Sequence, residues 1–236
     1  MARLPGHRPP GRDQLAHRSL VALLARRTGR GLSVTVAPDR RLVLVRHGRT
    51  AWNAALRIQG QTDVELDEVG LEQARTVAPL VAALSPALVW SSDLARARST
   101  AEEIAKEAGL VPSYDARLRE FHLGEYQGLT HTELGATDGH ALTRFRLGEW
   151  DDIPGAETAD EVATRYAAAL TDLATALAPG ETGVAVSHGA ATRVGLVRFL
   201  GWPLTVAQDL RGLGNCGRVV LDQRPSGEWA LASYNL

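Results

Sequence analysis

Cysteine occurs once in the 236 residues, at Cys216, which excludes an internal disulfide and any multi-cysteine zinc site. Lysine also occurs once, at Lys106, leaving little basis for Schiff-base chemistry. No glycine-rich loop ends in Gly-Lys-Ser or Gly-Lys-Thr, so P-loop nucleotide chemistry is excluded. No apolar run approaches the roughly 20 residues needed to span a bilayer. What is present is ordinary for a globular chain: 44% hydrophobic and 22% charged residues, sized for one medium domain or a domain plus a tail. The net charge of −1 conceals an asymmetry. Seven arginines against Asp13 put +6 on residues 1–35, which leaves −7 on the remainder. The body is therefore acidic, without the basic stripe that nucleic acid requires.

Residues 1–39 are rich in Arg, Pro and Gly. Leu20 to Ala25 is their one apolar run, too short and too closely bracketed by arginines for a secretory core. The composition resembles an organelle transit peptide or a weakly surface-binding helix. The simpler reading is preferred: a basic, disordered N-terminal extension, or one added by an upstream start codon, ahead of a domain over residues 40–236.

In that domain, Leu42-Val43-Leu44-Val45 runs without polar alternation into Arg46-His47-Gly48, the pattern of a strand buried on both faces that empties into a glycine turn. From Asp67 to Leu84 the residues Leu71, Ala74, Val77, Val81 and Leu84 fall at helical spacing, with Pro79 expected to kink or split the helix. Ala87 to Ser91 reads as a second buried strand. Ser92 is the expected N-cap of a helix striped by Leu94, Ala97, Ala101, Ile104 and Ala108, supported by a Glu102–Lys106 pair and stopped at Gly109. Residues 121–156 read as an irregular cap over the sheet edge. Thr158-x-x-Glu161 is a capping box for a helix carrying Val162, Tyr166, Ala169, Leu173 and Leu177, ended by Pro179-Gly180. Gly183 to Ser187 is a third buried strand, running into His188-Gly189 and a helix to about Leu200. Strands near residues 218–221 and 229–232 close an α/β sandwich with a mainly parallel sheet.

Three strands thus end in polar groups at one rim: Arg46-His47-Gly48, Ser91-Ser92-Asp93 with Arg96 a turn later, and His188-Gly189. In open α/β sheets, ligands sit beyond the carboxyl ends of such strands. Two arginines suit a bidentate phosphate or carboxylate. Two histidines without a carboxylate cluster make a poor metal site. Taken singly, each residue has a plainer reading. Arg96 lies off its helix's apolar stripe, which by itself means a solvated face. Glu120 alone would be an exposed loop carboxylate. His122, His131 and His140 read as surface residues, with His122 the candidate pocket wall. Cys216 reads as a packed residue, because nothing nearby would lower its pKa. Ser187 lacks the G-x-S-x-G elbow of serine hydrolases.

Arg46-His47-Gly48-x-Thr50-x-x-Asn53, Ser91-Ser92-Asp93-Leu94-x-Arg96-Ala97, Leu118-Arg119-Glu120 and Ser187-His188-Gly189 together resemble the histidine phosphatase superfamily, which includes the phosphoglycerate mutases. The resemblance covers most of residues 42–222. It implies a three-layer α/β/α sandwich of the phosphoglycerate mutase-like kind and a phosphohistidine mechanism. By the same resemblance His47 is the nucleophile, and Arg46, Arg96 and His188 clamp the phosphoryl oxygens. Glu120 is the general acid that later activates water. Gly48 and Gly189 admit backbone N–H groups to phosphate, while Asn53, Gln59 and Gly60 touch substrate. His47 must be neutral at its reacting nitrogen, with the other nitrogen held as N–H by a backbone carbonyl.

Phe121 to Thr130 is followed by a short segment, without the longer insert of the mutases, so the resemblance points to the phosphatase branch. Arg117 to His131, with Gly212 to Asn215, is similar to glucosyl-3-phosphoglycerate phosphatases; a broad phosphomonoesterase is an equal alternative. A mutase-type phosphotransferase and a non-catalytic phospho-ligand binder are the other readings, as is a metal-dependent phosphoesterase that a chelator would inactivate. The expectation is a cytoplasmic hydrolase with no cofactor and no metal. It would act on a small-molecule phosphomonoester, engage neither nucleic acid nor membrane, and admit a homodimer. A chain starting at Val36 should fold and turn over substrate like the full chain in a phosphate-release assay; loss of activity would show that the extension takes part.

Overall fold

The computed structural model describes residues 39–236, so the expectation for the arginine-rich extension lies outside the described residues, Asp39 apart. Six strands make one sheet: β1 (Arg41–Arg46), β2 (Pro86–Ser91), β3 (Ser113–Tyr114), β4 (Thr182–Ser187), β5 (Arg218–Gln223) and β6 (Trp229–Tyr234). Their order is β3-β2-β4-β1-β5-β6. The β3, β2, β4 and β1 strands pair with one another in parallel, while β5 pairs antiparallel with both β1 and β6.

The unbroken apolar run of β1 follows from this central position. Leu42 and Leu44 face one hydrophobic core, with Ala185, Val219 and Leu221. Val43 and Val45 face a second core, with Val89, Val184 and Val186. Helix α2 (Glu68–Ala82) and helix α3 (Ala95–Ala108) cover the second core through Val77, Val81, Ala97, Ala101 and Ile104. Helix α6 (Ala159–Ala176) and helix α7 (Gly189–Phe199) cover the first through Val162, Tyr166, Leu170, Leu173, Leu196 and Val197. Each full burial of such a side chain is worth about 1.5–3 kcal/mol, so a strand fed from both sides is the natural centre of the sandwich.

Four local expectations are corrected. Of the two outcomes expected at Pro79, the split does not occur: α2 continues to Ala82. Pro79 removes one hydrogen bond near the C-terminus, and the burial of Ala74, Val77, Ala78 and Val81 outweighs that loss. Ser92 is not an N-cap. Helix α3 starts after Leu94, and the N–H of Ala95 donates to Asp63 Oδ1 at 2.7 Å, a cap supplied from a distant loop. Glu102 pairs with Arg98 at 4.0 Å and accepts from the Tyr114 hydroxyl at 3.0 Å, rather than meeting Lys106.

The segment 121–156 is the fourth correction. It holds two short helices, α4 (His131–Thr137) and α5 (Gly139–Leu147). Thr130 and Glu133 form a complete capping box for α4, and the Asp138 carboxylate accepts from the N–H groups of His140 and Ala141 to start α5. The Thr158–Glu161 box of α6 is present as expected. Two shorter helices, α1 (Ala51–Ala54) and α8 (Val206–Asp209), complete the α-helices of the described residues.

Helices α6 and α7 touch closely at Gly195, where an added Cβ would lie 2.1 Å from Cδ1 of the fully buried Tyr166 ring. Gly195→Ala should therefore destabilise the domain by about 1–3 kcal/mol through overpacking. Urea unfolding should show a lower midpoint with an unchanged slope; an unchanged midpoint would mean that the two helices separate freely.

Candidate active site

Parallel pairing sets Arg46 of β1 against Ser187 of β4 and Ser91 of β2 against Val186. The chain therefore leaves three adjacent strands at one level. The His47 N–H donates to Ser187 O at 2.9 Å, and the Ser92 N–H donates to Val186 O at 2.9 Å. After β1 the chain goes to α2 on one face, and after β4 to α7 on the other, which makes a switch point where an open α/β sheet binds ligands. His47 and His188 meet there with ring centroids 5.1 Å apart and planes inclined by 59°.

His47 is 3% exposed. Its Nδ1 lies 2.6 Å from Gly48 O. A carbonyl can only accept, so Nδ1 carries the proton and Nε2 holds the lone pair. Burial, then the charges of Arg96 and Arg46, holds the His47 pKa well below the ordinary imidazole value, against the hydrogen bond to Gly48. His188 is fully buried, with Nε2 2.9 Å from Ser92 Oγ and no hydrogen-bond partner for Nδ1 within the described protein. Burial and the neighbouring cations lower its pKa in the same direction. Ser92, three residues ahead of the helix it was expected to cap, is thus engaged by an imidazole.

Arg96 is 1% exposed, the reverse of the solvated face that its place off the apolar stripe suggested. Its Nη1 and Nη2 donate to Thr62 O at 2.9 Å and Gly60 O at 2.7 Å, while Nε has no partner. Burial pushes its pKa down to about 10, so it stays cationic at neutral pH. Arg46 donates from Nη1 to Leu213 O at 2.5 Å and likewise leaves Nε without a partner. Each of these two guanidinium groups thus keeps a buried Nε–H without a partner beside the histidine pair.

Glu120 comes from the loop after a single 3-10 turn (Ala116–Leu118). Its carboxylate accepts from the N–H groups of Ala191 at 2.8 Å, Phe121 at 3.0 Å and Ala190 at 3.1 Å. The first turn of α7 is thereby capped from a distance, where the helix dipole favours an anion. The same carboxylate supports the positive charge of both Arg46 and Arg96.

A cavity of about 240 Å³ joins Arg46, His47, Asn53, Gln59, Gly60, Arg96 and Glu120. Gly48 and Gly189 are placed otherwise than as cavity wall. The Gly48 N–H donates to Thr100 Oγ1, and a Cβ there would lie 2.4 Å from Gly70 O, so this glycine lets the loop pack on α2. At Gly189 a Cβ would stand 3.4 Å from Arg46 Nε, so its bareness makes room for the guanidinium. Asn53 closes the capping box of α1 with Thr50, and its Oδ1 also accepts from Asn215 Nδ2 at 3.3 Å. Asn215 further donates to His47 O at 3.1 Å.

The rest of the wall comes from Arg57, Ile58, Leu123, His131, Phe145 and Trp150. His131, stacked edge-on against Phe145, is the pocket-wall histidine. His122, expected in that place, is exposed and turns its Nδ1 to Gly155 O. The Thr130–Glu133 capping box was the available signal, since it predicts the helix that carries His131 inward. Burial pushes the Cys216 thiol up to about 12, which fits a packed side chain. Ser187 Oγ donates to Leu118 O at 2.8 Å. Among the described residues no group of three or more His, Cys, Asp or Glu could hold a metal ion, and no helix is long and apolar enough to cross a membrane.

A family model described as histidine phosphatase superfamily (branch 1) matches residues 42–236. Glucosyl-3-phosphoglycerate phosphatase of Mycobacterium tuberculosis is 37% identical over 201 residues, spanning 82% of this chain and 88% of the relative. A Photorhabdus laumondii protein named "Probable phosphoglycerate mutase GpmB" is 39% identical over 188 residues, spanning 78% and 85%. The solved structure of mycobacterial glucosyl-3-phosphoglycerate phosphatase with VO3 superposes with a TM-score of 0.78 at 36% identity, covering 83% of this chain and 98% of that one.

The lowered pKa values of His47 and His188 carry a consequence for stability. Both stay neutral when folded, whereas in the unfolded chain each takes up a proton as pH falls through about 6.5. The unfolded state then binds more protons, so stability falls with pH below that point, by up to about 1.4 kcal/mol per pH unit for each histidine. Urea unfolding from pH 7.5 to 5.5 should record this loss, and His188→Gln should flatten the slope. A profile level across that range would contradict the buried neutral pair.

Proposed function

Since the chain belongs to the histidine phosphatase superfamily, we propose that it hydrolyses small phosphomonoesters through a phosphohistidine on His47, with glucosyl-3-phosphoglycerate or a related sugar or glycerate phosphate as substrate. The observation that carries this reading is the Nδ1–Gly48 O contact of 2.6 Å, which leaves the Nε2 lone pair free beside two guanidinium groups with unassigned N–H donors.

In the first half-reaction, His47 Nε2 attacks phosphorus in line, forming the N–P bond as the P–O bond to the leaving group breaks. Glu120, entering this step in its protonated form, gives its proton to the departing oxygen. Arg46, Arg96 and His188 hold the three equatorial oxygens, where charge concentrates in the transition state. In the second half, Glu120 takes a proton from water, the resulting hydroxide attacks phosphorus, and the N–P bond breaks to return His47 neutral and release inorganic phosphate. The histidine stays unprotonated before attack because burial and two cations disfavour its charged form.

Support for a glycerate-type leaving group comes from the wall beyond the cradle. Ile58, Leu123, Phe145 and Trp150 give it apolar surface, and Arg57 gives it a cation that stacks on Trp52 at 5.7 Å. The mycobacterial relatives are named for glucosyl-3-phosphoglycerate. The body carries no counterpart to the long mutase insert, and this favours release of phosphate over its return to a second hydroxyl.

His47→Ala should abolish turnover and the acid-labile label left by a phosphorylated substrate; a fully active variant would end the proposal. Glu120→Ala should cost roughly 10²–10⁴ in kcat/KM on alkyl phosphates and far less on aryl phosphates, whose leaving groups need no proton. Equal losses on both would remove Glu120 as the donor. With glucosyl-3-phosphoglycerate the product should be free phosphate; isomerisation stimulated by a bisphosphoglycerate would assign the chain to the mutases instead.

A further inference from the structure

Residues 119–123 lie outside the helices and the sheet, apart from an isolated bridge of Leu123 to Ala156, yet they carry Glu120. The carbonyls of Arg117, Arg119 and Glu120 converge on one side chain. Arg165, on α6, donates from Nη1 to Arg117 O at 2.8 Å and to Arg119 O at 2.7 Å, and from Nη2 to Glu120 O at 2.9 Å. Its remaining donors, Nε and the second Nη2 hydrogen, meet Glu157 Oε1 and Oε2, each at 2.9 Å. All five N–H donors of the guanidinium are therefore assigned.

Glu157 extends the clamp. Its Oε2 also accepts from the His122 N–H at 2.8 Å and from Gln61 Nε2 at 3.1 Å, and Gln61 Nε2 donates to Glu120 O at 3.0 Å. Arg165 and Glu157 are 19% and 26% exposed, partly withdrawn from water. Neither borders the cavity. A loop that runs past a planar, fully occupied guanidinium can hold its backbone in only one orientation, and that orientation sets the direction of the Glu120 side chain.

We propose that Arg165, fixed by Glu157, is the positioning residue that aims Glu120 at the oxygen of the leaving group. The inference rests on Glu120 being the proton donor, and it assigns Arg165 no contact with substrate. An ammonium offers three mobile donors where five acceptors converge in one plane, so lysine cannot reproduce the clamp.

The test compares kcat/KM for p-nitrophenyl phosphate and for glycerol 3-phosphate in the wild type, Arg165→Lys, Glu157→Gln, Glu120→Ala and the Glu120→Ala/Arg165→Lys pair. Misaiming the acid should cost roughly 10- to 100-fold on the alkyl phosphate with little change on the aryl phosphate. The double variant should be no slower on glycerol 3-phosphate than Glu120→Ala alone, because Arg165 acts only through that carboxylate. If Arg165→Lys does not fold, Glu157→Gln carries the same contrast.

Equal losses on both substrates in Arg165→Lys or Glu157→Gln, with Glu120→Ala still selective, would overturn the inference and leave a purely structural tie. Multiplicative losses in the double variant would overturn it too. Equal losses in Glu120→Ala itself would instead remove the premise about the proton donor, and the inference with it.

Discussion

Two guanidinium groups buried beside two neutral imidazoles are the constraint on which this fold depends. Taking an ion out of water costs several kcal/mol even after relaxation. Among the described residues neither Arg46 nor Arg96 has a carboxylate within ion-pair distance. Backbone carbonyls of Gly60, Thr62 and Leu213 take part of the load, and Glu120 supplies the balancing field from a short distance. The positive charge that survives is the charge a phosphoryl transition state requires, and the same field keeps His47 unprotonated.

That arrangement needs a rigid frame. The parallel pairing of β1 with β4 sets the two imidazoles at one level. The two hydrophobic cores then prevent the strands from shifting, because a slip by one residue would exchange the faces of Leu42 and Val43. Glu120 reaches the same spot from a loop rather than a strand. Its carboxylate is secured by the N-terminus of α7, and its backbone by Arg165 and Gln61. A catalytic group on an irregular segment thus gains its orientation from side chains of distant elements.

The sheet, its two-residue edge strand β3 apart, and its four large helices were legible from local patterns: the unbroken runs of β1 and β4, the stripe of α3, and the Thr158–Glu161 box. Three rims ending in Arg-His, Ser-Ser and His were enough to expect one shared site. Elsewhere local rules were overruled by distant groups. Ser92 looks like a cap by position, but His188 engages its hydroxyl and Asp63 caps the helix in its place. Arg96 looks solvent-facing by helical spacing, but the loop through Gly60 and Thr62 folds over it. The short helices after Glu120 went unread because scattered Gly, Trp and Pro masked the Thr130 and Asp138 caps.

From the sequence alone came the order of elements, the resemblance to histidine phosphatases and the identity of the charged groups at the strand ends, since periodicity and motif are local properties of the chain. Which further histidine lines the pocket, what Gly48 makes room for and what holds Glu120 in place were decided only by the tertiary structure. Each depends on a partner many residues away, such as Phe145 for His131, Gly70 for Gly48 and Arg165 for Glu120. Contacts of that kind are set when packed layers meet, and no spacing along the chain encodes them.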